Sequence, residues 1–168
     1  MRTTHNKFIF LAQAAVVAAL YAGLAYAGWG VGFGSWQFRY VEALTLLPVL
    51  TPAAIPGLTI GCLLFNLSSP LGLVDIVFGT LATLLAAICT YWLRNIRLKG
   101  LPLLSALMPV LFNGVVVGLI LKLTIGLPFW LTMGQIALSE LLICFALGLP
   151  LIVLLRRIFL HSAFSFLH

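Results

Sequence analysis

LVDIVFGTLATLLAAICTYWLRNIRLK, residues 73–99, carries a single charge, Asp75, between Leu73 and Leu93 and then closes on Arg94, Arg97 and Lys99. An apolar run of ~20 residues, rising ~1.5 Å per residue, spans a ~30 Å hydrocarbon layer. The stretch therefore reads as a membrane-crossing helix from about Leu73 to Leu93, followed by a short basic connection. Cytoplasmic loops retain Lys and Arg, so the connection belongs on the inner side and Asp75 near the outer one.

The pattern repeats in both directions. Hydrophobic residues make up 63% of the 168 residues and charged residues 7%, and mean hydropathy is +1.22. That leaves too little polar surface to coat a water-soluble globule. Further apolar runs extend from Phe8 to Ala27, Gln37 to Leu50, Ala53 to Asn66, Pro102 to Lys122 and Gly134 to Leu155. The second and third are short for upright spans and are separated by TPAAIP, where Pro52 and Pro56 interrupt helical hydrogen bonding. The predicted fold is an all-α membrane protein of six transmembrane helices, one domain over residues 1–168. GWGVGFG at 28–34 predicts a flexible outer loop, and TIGLPFWLTM at 124–133 a second one. A rival reading of residues 1–27 as a signal peptide, with Ala25-Tyr26-Ala27 resembling a cleavage site, is disfavoured: the run is longer than the ~7–15 apolar residues of such segments.

The net charge of +6 does not point to nucleic acid, because the basic residues stand at the ends of apolar runs rather than along one face. Arg2 and Lys7, the 94–99 cluster, and Arg156 with Arg157 all fall on one side of a six-span topology, which places both termini in the cytoplasm. Cys62, Cys89 and Cys144 stand singly in apolar stretches and read as packing residues. His5, His161 and His168 lie near the chain ends and predict no metal site. There is no GxxxxGK[ST], HExxH or GxSxG, so no ATPase, metalloprotease or serine-hydrolase machinery is visible and no cofactor is expected in this chain.

Glu42, Asp75 and Glu140 are the only acidic residues, and each falls in the outer half of its helix. Arg39, Gln37, Asn66 and Gln135 lie at the same level. An unpaired carboxylate at membrane depth costs at least ~2.5 kcal/mol, so these groups are expected to converge on an outward-facing pocket. Local readings compete: Arg39 and Glu42 as an i, i+3 ion pair, and Asp75 as a helix cap beside SSPLG. Asn113 either lines the pocket floor or bonds a carbonyl freed by Pro109. Trp29, Trp36 and Trp130 sit at the outer rim, as an aromatic belt or as platforms for a planar ligand. Gly57 with Gly61, and Gly114 with Gly118, form GxxxG contacts. Ala14, Ala18 and Ala22, beside Ala15, Ala19 and Gly23, give α-helix one a smooth strip, for internal packing or for docking another membrane subunit.

QFRYVEALTLLP, TPAAIPGLTIGCLLFNL and GLVDIVFGTLATLLAA, in that order, resemble the QueT family of queuosine-precursor transporters, which are substrate-binding S components of energy-coupling factor transporters. The residues that carry the likeness are Gln37, Arg39, Glu42, Pro48, Pro52, Pro56, Gly57, Gly61, Asn66, Asp75, Gly79 and Thr83. The family pattern has Ser before the glutamate where this chain has Val41. The resemblance implies an S-component-like bundle in a bacterial cell membrane that binds a small molecule from outside and delivers it by tilting. The implied partners are an EcfT-like transmembrane coupling protein and two cytoplasmic ATPases, which use the ATP, and Ala14, Ala18 and Ala22 resemble the alanine motif that meets the coupling protein.

The implied substrate is a deazaguanine base: queuine or its aminomethyl or cyano precursor. One carboxylate can accept the adjacent ring N–H and exocyclic amine as a parallel pair. Glu140 is expected in that role, with Asp75 or Glu42 pairing with an aminomethyl cation, Gln37 or Arg39 donating to the ring carbonyl, and Trp36 or Trp130 stacking on the ring. Two other classes of function are weighed against this one: a membrane-embedded enzyme acting on a lipid substrate, and a structural membrane subunit.

Overall fold

The computed structural model describes residues 2–32 and 38–165. Six helices follow one another: α1 (Arg2–Ala27), α2 (Tyr40–Val49), α3 (Ala54–Asn66), α4 (Asp75–Gly79 continued by Thr80–Trp92), α5 (Leu103–Ile125) and α6 (Phe129–Ile143, Cys144–Gly148 and Leu149–Ser165). No β-strand occurs among the described residues, as the apolar runs predict. Segments Asn6–Ala27, Asp75–Asn95, Leu103–Ile125 and Phe129–Ile158 are long and apolar enough to cross a membrane, whereas α2 and α3 are apolar but shorter.

α2 is a 3₁₀ helix over its ten residues, where the hydropathy pattern alone suggests an ordinary α-helix. With ~3 residues per turn, side chains three apart eclipse one another. Glu42, Thr45 and Pro48 thus form one row and Ala43, Leu46 and Val49 a second, and all six are buried. At ~2 Å per residue the segment reaches ~20 Å, as far as the thirteen residues of α3 do at ~1.5 Å. Pro48, which lacks an N–H, is accommodated inside it.

The glycine-rich stretch after α1 is not loop throughout, because Trp29–Gly32 forms a helical turn. Trp29 stacks on Tyr26 with ring centroids 6.0 Å apart and meets Phe65 edge-on at 5.9 Å, and this packing fixes the turn. Nor is 124–133 a loop. Gly126, at φ 74, closes α5 by donating its N–H to the Lys122 carbonyl, extended Pro128 precedes α6, and α6 starts at Phe129 rather than Gly134. A left-handed glycine followed by proline makes so abrupt a reversal possible. The basic connection contains a tight hairpin: Leu98 and Leu101 exchange backbone hydrogen bonds, with Lys99 and Gly100 both at positive φ.

α1 packs on α3, α3 on α4, α4 on α5 and α5 on α6. The first contact is close because α3 presents no side chain there: a Cβ on Gly57 would come within 2.7 Å of the Ala14 carbonyl oxygen, and one on Gly61 within 2.7 Å of Tyr21 Cβ. Gly118 does the same for α5 against Met133 of α6. Thr90 and Ser105 each donate a hydroxyl to the other's carbonyl, at 3.1 and 3.0 Å, and so clamp α4 to α5. Val17, Tyr21, Val41, Leu58, Cys62 and Phe65 belong to one core cluster, and Leu46, Ala106, Cys144 and Ile152 to another. Cys62 and Cys144 are thus buried packing residues. α1 lies along α3 as one wall of the bundle.

Candidate functional site

Arg39 and Glu42 at the start of α2, Asn66 at the end of α3, Asp75 at the start of α4, Asn113 in the middle of α5 and Glu140 in the first half of α6 are buried polar residues of the bundle. Arg39, Glu42, Asn66, Asp75, Asn113 and Glu140 are each at most 7% exposed. The acidic groups therefore turn away from lipid and into the protein.

They form two linked groups. In the first, Asn113 Nδ2 donates to Glu140 Oε1 at 3.0 Å and also faces Glu42, whose own Oε1 accepts the Tyr21 hydroxyl at 2.5 Å. The Glu42 backbone carbonyl accepts the Thr45 hydroxyl at 2.5 Å and the Cys144 thiol at 4.0 Å. α1, α2, α5 and α6 thus all contribute to one cluster. In the second group, Arg39 Nη2 lies 3.8 Å from Asp75 Oδ2, which also accepts the Ser69 hydroxyl at 2.5 Å. Asn66 donates to the Asp75 carbonyl at 3.3 Å. The Arg39 guanidinium stands 5.6 Å over the Phe65 ring, and Arg39 also acts electrostatically on Glu42, joining the two groups.

Asp75 opens a π-helical turn, Asp75–Gly79, and a second π turn, Cys144–Gly148, begins four residues after Glu140. Such turns recur at functional sites because the extra residue re-aims neighbouring side chains. The first turn needs glycine at its end: a Cβ on Gly79 would come within 2.7 Å of Asp75 Oδ1 and 3.0 Å of Asn66 Nδ2.

Several expected local arrangements give way to these. Asp75 is not a cap, for its carboxyl faces Arg39 and Ser69. The ion pair within 4 Å is Arg39 with Asp75, while Glu42 turns to Tyr21. Asn113 serves Glu140 rather than a carbonyl freed by Pro109. Gln135 is half-buried on α6. Trp130 is 77% exposed, packs on Phe129, and is ten residues, or ~15 Å of helix, from Glu140. It does not cover the carboxyl groups. Trp36 and Gln37 lie outside the described residues. Ala14 and Ala18 are buried against Gly57 and Gly61, which is the internal-packing alternative, while Ala22 is half-buried and Ala15 and Ala19 face outward. Val41, where the family pattern has Ser, is buried in the apolar core.

Tyr21, Ser69 and Thr45 bond to the candidate site residues and were not singled out from the sequence. Tyr21 was legible in principle: it shares the face of Ala14 and Ala18 at helical spacing, and a buried tyrosine hydroxyl requires a partner.

Most hydrogen-bonding capacity left over is of one kind. Among the described residues, Glu42 Oε2, Glu140 Oε2, Asp75 Oδ1 and Asn66 Oδ1 are buried acceptors with no hydrogen-bond partner, as is the Ser139 hydroxyl. Buried polar atoms are rarely left so. No cluster of three or more metal-ligating side chains occurs among the described residues.

An apolar helical bundle with acceptor-rich polar groups buried inside it defines a class: a multi-pass integral membrane protein. Residues 11–157 match the family model described as QueT transporter, nearly the whole chain, and the protein belongs to that family. It is accordingly a transporter with a small-molecule substrate and not an enzyme. No curated protein and no solved structure matches the chain.

Proposed function

We propose that this protein is the substrate-binding S component of an energy-coupling factor transporter, capturing a queuosine precursor of the deazaguanine class. The observation that carries this reading is the set of buried acceptors without partners at Glu42, Glu140, Asp75 and Asn66. A deazaguanine is complementary to it: the ring N–H and exocyclic amine present adjacent donors to a carboxylate such as Glu140. Three carboxyl groups stand against the one guanidinium of Arg39, which supports an amine-bearing base, queuine or the aminomethyl precursor, over the cyano one. Glu42 or Asp75 takes that amine, and Arg39 or Gln37 meets the ring carbonyl. Trp36 supplies the stacking surface that the exposed Trp130 does not.

In this reading the chain works as one six-helix domain in a bacterial cell membrane, with both termini cytoplasmic and the carboxyl site opening outward. The basic clusters at the opposite end of the helices support that orientation. A transmembrane coupling protein and two cytoplasmic ATPases complete the transporter, and the ATPases supply the energy through ATP. On α1, Ala22 with the outward Ala15 and Ala19 is the part of the small-residue strip left for the coupling protein. Mass spectrometry of the protein purified gently in mild detergent tests the reading. A retained deazaguanine base is expected, and retention of a chemically unrelated solute would displace it.

A further inference from the structure

At the end of the bundle away from the carboxyl groups, a groove of about 850 Å³ runs between the start of α1, the end of α2 and the end of α6. Its walls include Phe8, Ala12, Val16, Leu47 and Leu155, and Arg156 stands at its border. Its size falls within the ~300–1,000 Å³ of small-molecule sites, and its lining is mostly apolar, the polar Gln13 and Thr51 being hydrogen-bonded to each other. Arg156 and Leu50 also line a cavity of about 180 Å³ that takes in Arg97 and Gly100. The two spaces therefore share a border: a long apolar trough and a small annex with two guanidinium groups.

Those guanidinium groups have no side-chain carboxylate to meet. The chain has three acidic residues in all, and each is buried in the site at the other end. Arg94, by contrast, is engaged locally, donating to the Tyr91 carbonyl at 2.8 Å and stacking over the Tyr91 ring. An anionic partner for the exposed Arg97 and Arg156 would therefore have to come from outside the chain.

We propose that the groove and its annex bind one anionic phospholipid, with an acyl chain along Val16 and Leu47 and the phosphate between Arg97 and Arg156. Arginine suits a phosphate because its planar fork can donate two parallel hydrogen bonds. The apolar trough selects a lipid over a free anion, which would gain nothing from it. Basic pockets between membrane helices at the membrane surface bind anionic headgroups on the same grounds.

Native mass spectrometry of the full chain in mild detergent tests this, with phosphatidylglycerol, phosphatidylcholine or inorganic phosphate added. One phosphatidylglycerol is expected to be retained in about tenfold preference to phosphatidylcholine. Arg97→Gln with Arg156→Gln, both at exposed positions, should abolish that preference without lowering the melting temperature. Val16→Trp, which fills the trough, should lower retention of both lipids. Equal retention of the two lipids by the unaltered protein overturns the proposal, as does full competition by inorganic phosphate. So does a Val16→Trp variant that keeps its lipid but loses a co-purifying membrane partner, which would make the groove a protein-docking surface.

Discussion

The Tyr21 hydroxyl donates to Glu42 Oε1 at 2.5 Å, across twenty-one residues of sequence and from α1 to α2. The other oxygen of the same carboxyl, Oε2, is buried without a hydrogen-bond partner among the described residues. One edge of Glu42 is held by the fold and the other is turned toward whatever the site receives. α1, which also packs on α3 through Gly57 and Gly61, therefore reaches the site through the Tyr21 hydroxyl.

Tyr21→Phe removes that hydroxyl with little change in shape. A hydrogen bond to a carboxyl group contributes about 1.5–3 kcal/mol, and loss of the donor leaves a second buried oxygen unsatisfied. We expect a melting temperature below that of the unaltered protein in detergent, together with weaker ligand binding. An unchanged melting temperature would mean that Glu42 is held by other groups.

The Arg39–Asp75 pair is buried on both sides, so removing one partner leaves a charge uncompensated at a cost of about 3–5 kcal/mol. Asp75→Asn and Arg39→Gln should each destabilise strongly, and the double variant should lose less than the sum of the two. Melting of all four proteins gives the coupling directly. Additive losses would show that the two side chains act independently.

Steric contrast among glycines gives a third expectation. A Cβ on Gly61 would come within 2.9 Å of the Ala18 carbonyl oxygen and 2.7 Å of Tyr21 Cβ, whereas nothing lies within 4 Å of one on Gly134. Gly61→Ala should destabilise by about 1–3 kcal/mol, the usual cost of overpacking, and also disturb Tyr21. Gly134→Ala should melt at or above the unaltered protein, since alanine is the better helix former.

Gly79→Ala probes the site itself, because its Cβ would come within 2.7 Å of Asp75 Oδ1. We expect a loss of ligand affinity larger than the loss of stability, read by titration and melting on the same preparation. A variant that binds as well as the unaltered protein would place Asp75 outside the binding surface.

Much of this was legible in the residues. Runs such as Leu73–Leu93 fix the membrane helices because hydrocarbon admits few other structures, and the intolerance of lipid for carboxylates predicts that Glu42, Asp75 and Glu140 turn inward. Both GxxxG pairs mark close helix contacts as expected. The partners were less legible. Hydropathy does not distinguish a 3₁₀ from an α-helix, so the row that sets Glu42 above Thr45 was hidden. Helical spacing puts Tyr21 on the face of Ala14 and Ala18, but nothing in the residues names Glu42 as the partner of its hydroxyl. Ser69 reads as a turn residue, and only the folded chain brings it to Asp75. The small residues of α1 were ambiguous for a related reason: close packing inside a bundle and docking against a partner make the same demand for a smooth face.

The account rests on the buried acceptors forming the ligand site, and calorimetric titration of the purified full chain with an aminomethyl deazaguanine tests it most directly. The unaltered protein should bind one equivalent. Glu140→Gln, which keeps the shape of the side chain but loses the carboxylate, should weaken binding at least about 100-fold, as loss of one member of a buried charge-assisted pair does. Its melting temperature without ligand should not fall. No binding of any deazaguanine by the unaltered protein, or equal binding by Glu140→Gln, would contradict the account.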